Sequence, residues 1–155
     1  MSWRSRNEVA VALALLVACW FALAIPGRGG PDRQAFDTTV AASARDGLSN
    51  VRTAWLVGDA HRGGRVTRTY LSAVLDHSIR AVATAQLRLA ETPPPGRAQA
   101  AVRDALRTLL DEGERAIGDL VGAVYRGDTA GVRAAVAALG AIGDRLADFV
   151  DRHPS

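Results

Sequence analysis

Residues 102–139, VRDALRTLLDEGERAIGDLVGAVYRGDTAGVRAAVAAL, decide the fold, because two helical patterns meet in them across a very short break. In the first pattern Val102, Leu106, Leu109, Gly113, Ile117, Leu120 and Val124 recur in steps of three and four, which places them on one face of an α-helix. In the second, Val132, Val136 and Leu139 start the same rhythm, and Ile142, Leu146 and Val150 continue it. Between them stands Arg126-Gly127-Asp128-Thr129, where the glycine ends one helix and Asp128 or Thr129 caps the next. So short a connection forces the two helices antiparallel. Their expected bounds are about Arg97 to Arg126 and about Thr129 to Arg152.

Working back toward the N-terminus, Thr92-Pro93-Pro94-Pro95-Gly96 cannot continue a helix, since proline lacks the amide donor and its ring clashes with the preceding turn. Before it, from about Val66 to Glu91, comes a stripe of Leu71, Leu75, Ser78, Val82, Ala85 and Leu89. His61-Arg62-Gly63-Gly64-Arg65 offers two glycines for a further turn. A first helix from about Asp32 to Ala60 then carries Phe36, Val40, Ala44, Gly47, Val51, Trp55 and Gly58. The expected architecture is all-α: an antiparallel up-down-up-down four-helix bundle over residues 34–155, about 40 Å long at 1.5 Å per residue.

The first 25 residues have another character. Arg4 and Arg6 precede an uncharged run from Val9 to Ile25, with Leu13, Leu16 and Trp20 along it, and Pro26-Gly27 ends it. Its span of about 25 Å is slightly short of the ~30 Å hydrocarbon core of a bilayer. The expectation is an uncleaved single-pass anchor with a cytoplasmic N-terminus, followed by a Pro/Gly-rich tether over residues 26–33. Two alternatives stay open. Leu16-Val17-Ala18-Cys19 has the form of a lipobox, with Cys19 the lipidated residue, and Ala22-Leu23-Ala24 has the form of a signal-peptidase site. All three readings place the bundle outside the cytoplasm, at the cell membrane, as a lipoprotein, or secreted.

Composition narrows the chemistry. The basic residues, 19 in number, are all arginine, and with no lysine the chain excludes Schiff-base catalysis and a Walker A phosphate loop. A net charge of +3 with both signs interspersed does not suit nucleic-acid binding. Cys19 is the single cysteine, so an intramolecular disulfide and a Cys-x-x-Cys-His haem site are excluded. Met1 is the single methionine, which removes a His/Met haem ligand pair. None of Glu8, Glu91, Glu112 and Glu114 stands in a Glu-x-x-His pair of the kind that holds di-iron centres in bundles. His77 falls on the flank of its helix, and Asp59-x-His61 and Asp151-x-His153 sit at helix ends where capping charges are routine. No catalytic residue, metal site or cofactor is expected. Gly118 and Gly122 point away from the core face and read as surface glycines.

The layout resembles small membrane-anchored helical proteins of high-GC bacteria and, coarsely, the four-helix ligand-binding domains of bacterial chemoreceptors. Such receptors pass their signal through a second membrane helix, and no second apolar run precedes Ser155, so signalling in cis is not expected. The topology instead singles out one end. The loops after the first and third helices lie together there, gathering His61, Arg62, Arg65, Arg68, Arg126 and Arg133, with Tyr125 beside them and Asp59 and Asp128 opposed. Guanidinium forks suit docking onto carboxylate or phosphate. The function expected is that of a non-enzymatic accessory or interaction subunit, with a protein partner in the cell envelope. The alternative is a domain binding a small amphiphile or anion, for which Ser78 and Gly113 in apolar stripes would leave interior space.

Overall fold

A computed structural model describes residues 31–154. The anchor residues Val9, Leu13, Leu16, Trp20 and Ile25, the lipidation candidate Cys19 and most of the tether lie outside these described residues. Within them the chain forms four helices and no strand: α1, Pro31–Arg62; α2, Arg68–Glu91; α3, Arg97–Arg126; and α4, Thr129–Arg152. No helix among the described residues is long and apolar enough to cross a membrane.

The boundaries follow local chemistry. Pro31 opens α1, where a missing amide donor costs nothing, so the end of the expected tether, residues 31–33, is already helical. Thr67 caps α2, its hydroxyl accepting from the amide of Tyr70 at 3.3 Å. At the break that decides the fold, Gly127 adopts φ 69°, a left-handed conformation that only glycine takes without strain. The cap of α4 is Asp128 rather than Thr129, its Oδ1 accepting from the amide of Gly131 at 2.9 Å.

Cross-helix contacts fix the directions. Gly47 lies against Leu110, Val51 against Gly113 and Gly58 against Leu120, so positions rise together and α1 runs parallel to α3. Between α1 and α4 the order reverses: Arg52 pairs with Asp144 at 2.7 Å, Trp55 lies against Gly140, and Gly58 against Val136. The α3–α4 pair is antiparallel as well, through Glu112 with Arg145 and Ala123 with Gly131. Asp46–Arg88 joins α1 to α2, and Gln86 donates to Asp111 at 2.7 Å from α2 to α3. The ion pairs among these are exposed or half-exposed, are each worth ~1 kcal/mol or less, and do little more than mark the register.

Burial holds the bundle together. α1 presents a face of small residues, with Ala41, Ala44, Gly47, Ala54 and Gly58 all buried. Into it α3 packs the fully buried Leu110, against Gly47, and Leu120, against Gly58, and Leu106 and Ile117 of the same helix are fully buried too. Parallel helices in a bundle of alternating direction face each other across the core diagonal, and small residues let their backbones come close. Full burial of each Leu or Ile contributes roughly 1.5–3 kcal/mol. The expectation of interior space at Gly113 is therefore corrected: a Cβ there would stand 2.9 Å from Val51 Cγ2, so the missing side chain is already filled by a neighbour. Trp55, Val102 and Val150 are only partly buried and pack on the rim of the core.

Among the described residues two hydroxyls interrupt the apolar interior. Ser43 and Ser78 are fully buried, and neither oxygen has a hydrogen-bond partner. An unsatisfied buried polar group costs about 1–3 kcal/mol, and serine is also the poorer helix former. Ser78→Ala is accordingly expected to raise the unfolding free energy by about 1 kcal/mol. Chemical denaturation of the two proteins checks this, and an unchanged or lower midpoint would contradict it.

Candidate functional site

The end of the bundle that holds the α1–α2 and α3–α4 turns contains a cleft of about 560 Å³. It is lined by His61, Arg62, Arg68, Val124, Gly127, Asp128, Thr129, Val132 and Arg133. Four of the six residues expected at this tip, His61, Arg62, Arg68 and Arg133, thus come together, drawn from α1, α2 and α4. The two valines in the lining are buried, 5% and 7% exposed respectively.

The remaining two cations are drawn elsewhere by their neighbours. Arg65 turns to Asp59, with Nη2 3.1 Å from Oδ2, on the carboxylate that also holds Arg62 at 2.7 Å. Arg126 lies back along α3 over Gly122, where a Cβ would meet its Nη1 at 3.0 Å. Sequence carried a trace of both outcomes: Asp59 stands just before the glycine turn, and a glycine four positions ahead leaves room for a long side chain to lie flat. Tyr125 projects from the end of α3, 84% exposed.

The polar groups of the cleft fall into two sets. The imidazole of His61 donates from Nδ1 to the carbonyl of Val66 at 3.2 Å, which ties the ring across the turn. Arg62 is engaged by Asp59, and the carboxylate of Asp128 is turned to the α4 amide it caps. Arg68 and Arg133 have no acidic partner among the described residues. They are cations at the mouth of a concave site, open to an anion.

A second groove, of about 500 Å³, lies between α3 and α4 toward the opposite end, with Ala101, Val102, Ala105, Leu109 and Phe149 among its walls. Several of its polar groups have partners within the protein, although among the described residues the carboxylate of Asp148 has none and Arg152 has no acidic partner. Arg145 pairs with Glu112, and Arg152 donates to the carbonyl of Asp148 at 2.9 Å. His153 bonds the carbonyl of Phe149 at 2.9 Å and stacks on its ring at 4.2 Å between centroids. The two glycines of α3 offer no further site: Gly118 faces open space, and Gly122 lies under Arg126. His77 and Asp76 are exposed on α2. Among the described residues no group of three His, Cys, Asp or Glu side chains is placed to hold a metal ion. No family model, curated protein or solved structure matches the chain.

Proposed function

We propose that this chain is a non-enzymatic interaction subunit: a helical bundle, anchored at the cell membrane through residues 9–25, that docks a protein partner of the cell envelope with its arginine tip. The observation that carries the reading is the pair Arg68 and Arg133, brought from two helices to one cleft and left without acidic partners. Elsewhere among the described residues three arginines, Arg52, Arg88 and Arg145, pair with acids across helices. Unpaired cations at a concave surface attract a complementary face and speed the encounter with it. Arginine and exposed tyrosine, the residues enriched where partners bind, meet at this end in Arg133, Tyr125 and Tyr70.

A small-anion site in the same cleft is the second reading, supported by its concave shape and a volume within the ~300–1,000 Å³ of typical ligand pockets. The docking reading is tested by isolating the full chain from native membranes in mild detergent, alongside Arg68→Glu/Arg133→Glu. Wild type is expected to retain a defined partner that the double variant loses, with helicity unchanged by circular dichroism. The same proteins retained by both forms, or none by either, would overturn it.

A further inference from the structure

We infer that the cleft takes up a small oxyanion together with a proton, and that His61 carries the proton. The inference rests on the small-anion reading above and concerns the cleft with no partner docked in it.

Hydrogen bonding fixes where the proton goes. The carbonyl of Val66 can only accept, so the Nδ1 of His61 that bonds it at 3.2 Å keeps its hydrogen in the neutral ring and in the charged one. Nε2 is therefore the nitrogen that gains and loses a proton. Gaining it adds a full charge and a second N–H donor to a half-buried ring in the cleft lining. The bond across the turn is kept, so the change needs no rearrangement there.

The charge around the ring comes from each element at this end. Asp59 and Arg62 stand on α1 with His61, and Arg65 on the turn that follows. Arg68 enters from α2, and Asp128 and Arg133 from α4. From α3 the lining receives Val124, while Arg126 lies back over Gly122. Four arginines thus stand against two carboxylates, one of which, Asp59, is shared between Arg62 and Arg65. Guanidinium keeps its charge throughout the range between about pH 5 and 8, and imidazole is the side chain whose charge changes within it. Arg68 and Arg133, without acidic partners among the described residues, supply the attraction for an anion at neutral pH. A charged His61 adds to it as the pH falls. A bound oxyanion favours the charged imidazole, and by linkage the charged imidazole tightens the hold on the oxyanion by the same factor.

Equilibrium dialysis of the full chain in non-ionic detergent against radiolabelled sulfate tests this, because sulfate keeps its double charge across the range. At constant ionic strength the wild type is expected to bind sulfate about fivefold more tightly near pH 5.5 than near pH 7.5. His61→Gln, whose amide can still donate to the Val66 carbonyl, should bind equally at both, with the affinity wild type shows at the higher pH and an unchanged circular dichroism spectrum. Arg68→Gln/Arg133→Gln should lose binding at both. Calorimetry of the wild type in two buffers of different ionisation heat gives a second reading that needs no variant: sulfate binding near pH 6.5 should draw a fraction of a proton from the buffer. A wild-type affinity that ignores pH, a tightening that survives in His61→Gln, or binding without proton uptake would overturn the inference and leave the small-anion reading standing. No measurable sulfate binding at either pH would overturn both.

Discussion

Gly58→Val is expected to destabilise the bundle by roughly 3 kcal/mol, at the upper end of what overpacking a well-packed core costs. A Cβ on Gly58 would stand 2.8 Å from Leu120 Cδ2 and 3.0 Å from Val136 Cγ2. Leu120 is fully buried and Val136 nearly so, and they belong to α3 and α4, so neither yields without displacing a second helix. The γ-methyls of valine extend the collision beyond that of alanine. For a domain of this size the loss should lower the midpoint of thermal unfolding by about 10 °C. Shortening the obstacle with Leu120→Ala in the same chain should cost less than the sum of the two single changes, because the side chains share one space. Wild-type melting of Gly58→Val would show that α1 does not approach α3 and α4 as closely as described.

Leu110→Ala is expected to cost about 3–4 kcal/mol, since the side chain is fully buried and its removal leaves a cavity among rigid neighbours. Its partner across the core diagonal is Gly47, and here the sign of a second change should reverse. In the native chain a Cβ on Gly47 would collide with Leu110 Cδ2, so Gly47→Ala destabilises despite the better helix propensity of alanine. With Leu110→Ala in place the collision is gone, and the same change should recover about 1 kcal/mol through propensity and partial filling. Urea unfolding of the four proteins in the cycle measures this directly. An additive cycle would contradict contact between the two positions.

These glycines also show where the sequence stops being informative. Gly47, Gly58 and Gly113 sit in the apolar stripes, so their place on the core face follows from spacing alone. Whether a missing side chain leaves a void or receives a neighbour depends on a helix distant in sequence. At Gly113 the neighbour is Val51, and the interior space expected there is absent. The bounds of α3 and α4 were legible because Pro95, Gly96, Gly127 and Asp128 impose them locally. The start of α1 was less so, because Pro31 suits a tether and a first helical turn equally well.

For the tip, topology indicated which residues share an end, because short loops leave few ways to arrange four helices. It did not indicate where each long side chain goes. Asp59 gathers both Arg62 and Arg65, and Arg126 lies over Gly122, so Arg68 and Arg133 are the two arginines of the cleft lining without an acidic partner among the described residues. The apolar lining from Val124 and Val132 was hidden for another reason. Both belong to core stripes and stay buried, at 5% and 7% exposure, while bordering the cleft.

The central claim is that the tip is the docking surface, and site-directed photo-cross-linking in native membranes tests it most directly. A photoreactive residue at Thr129, on the lining of the cleft, is compared with one at Ala98, exposed near the other end of α3. The account predicts one dominant protein adduct from Thr129, none from Ala98, and loss of the Thr129 adduct when Arg68→Glu and Arg133→Glu are added. Equal adducts from both positions, or a Thr129 adduct that survives the charge reversal, would contradict it.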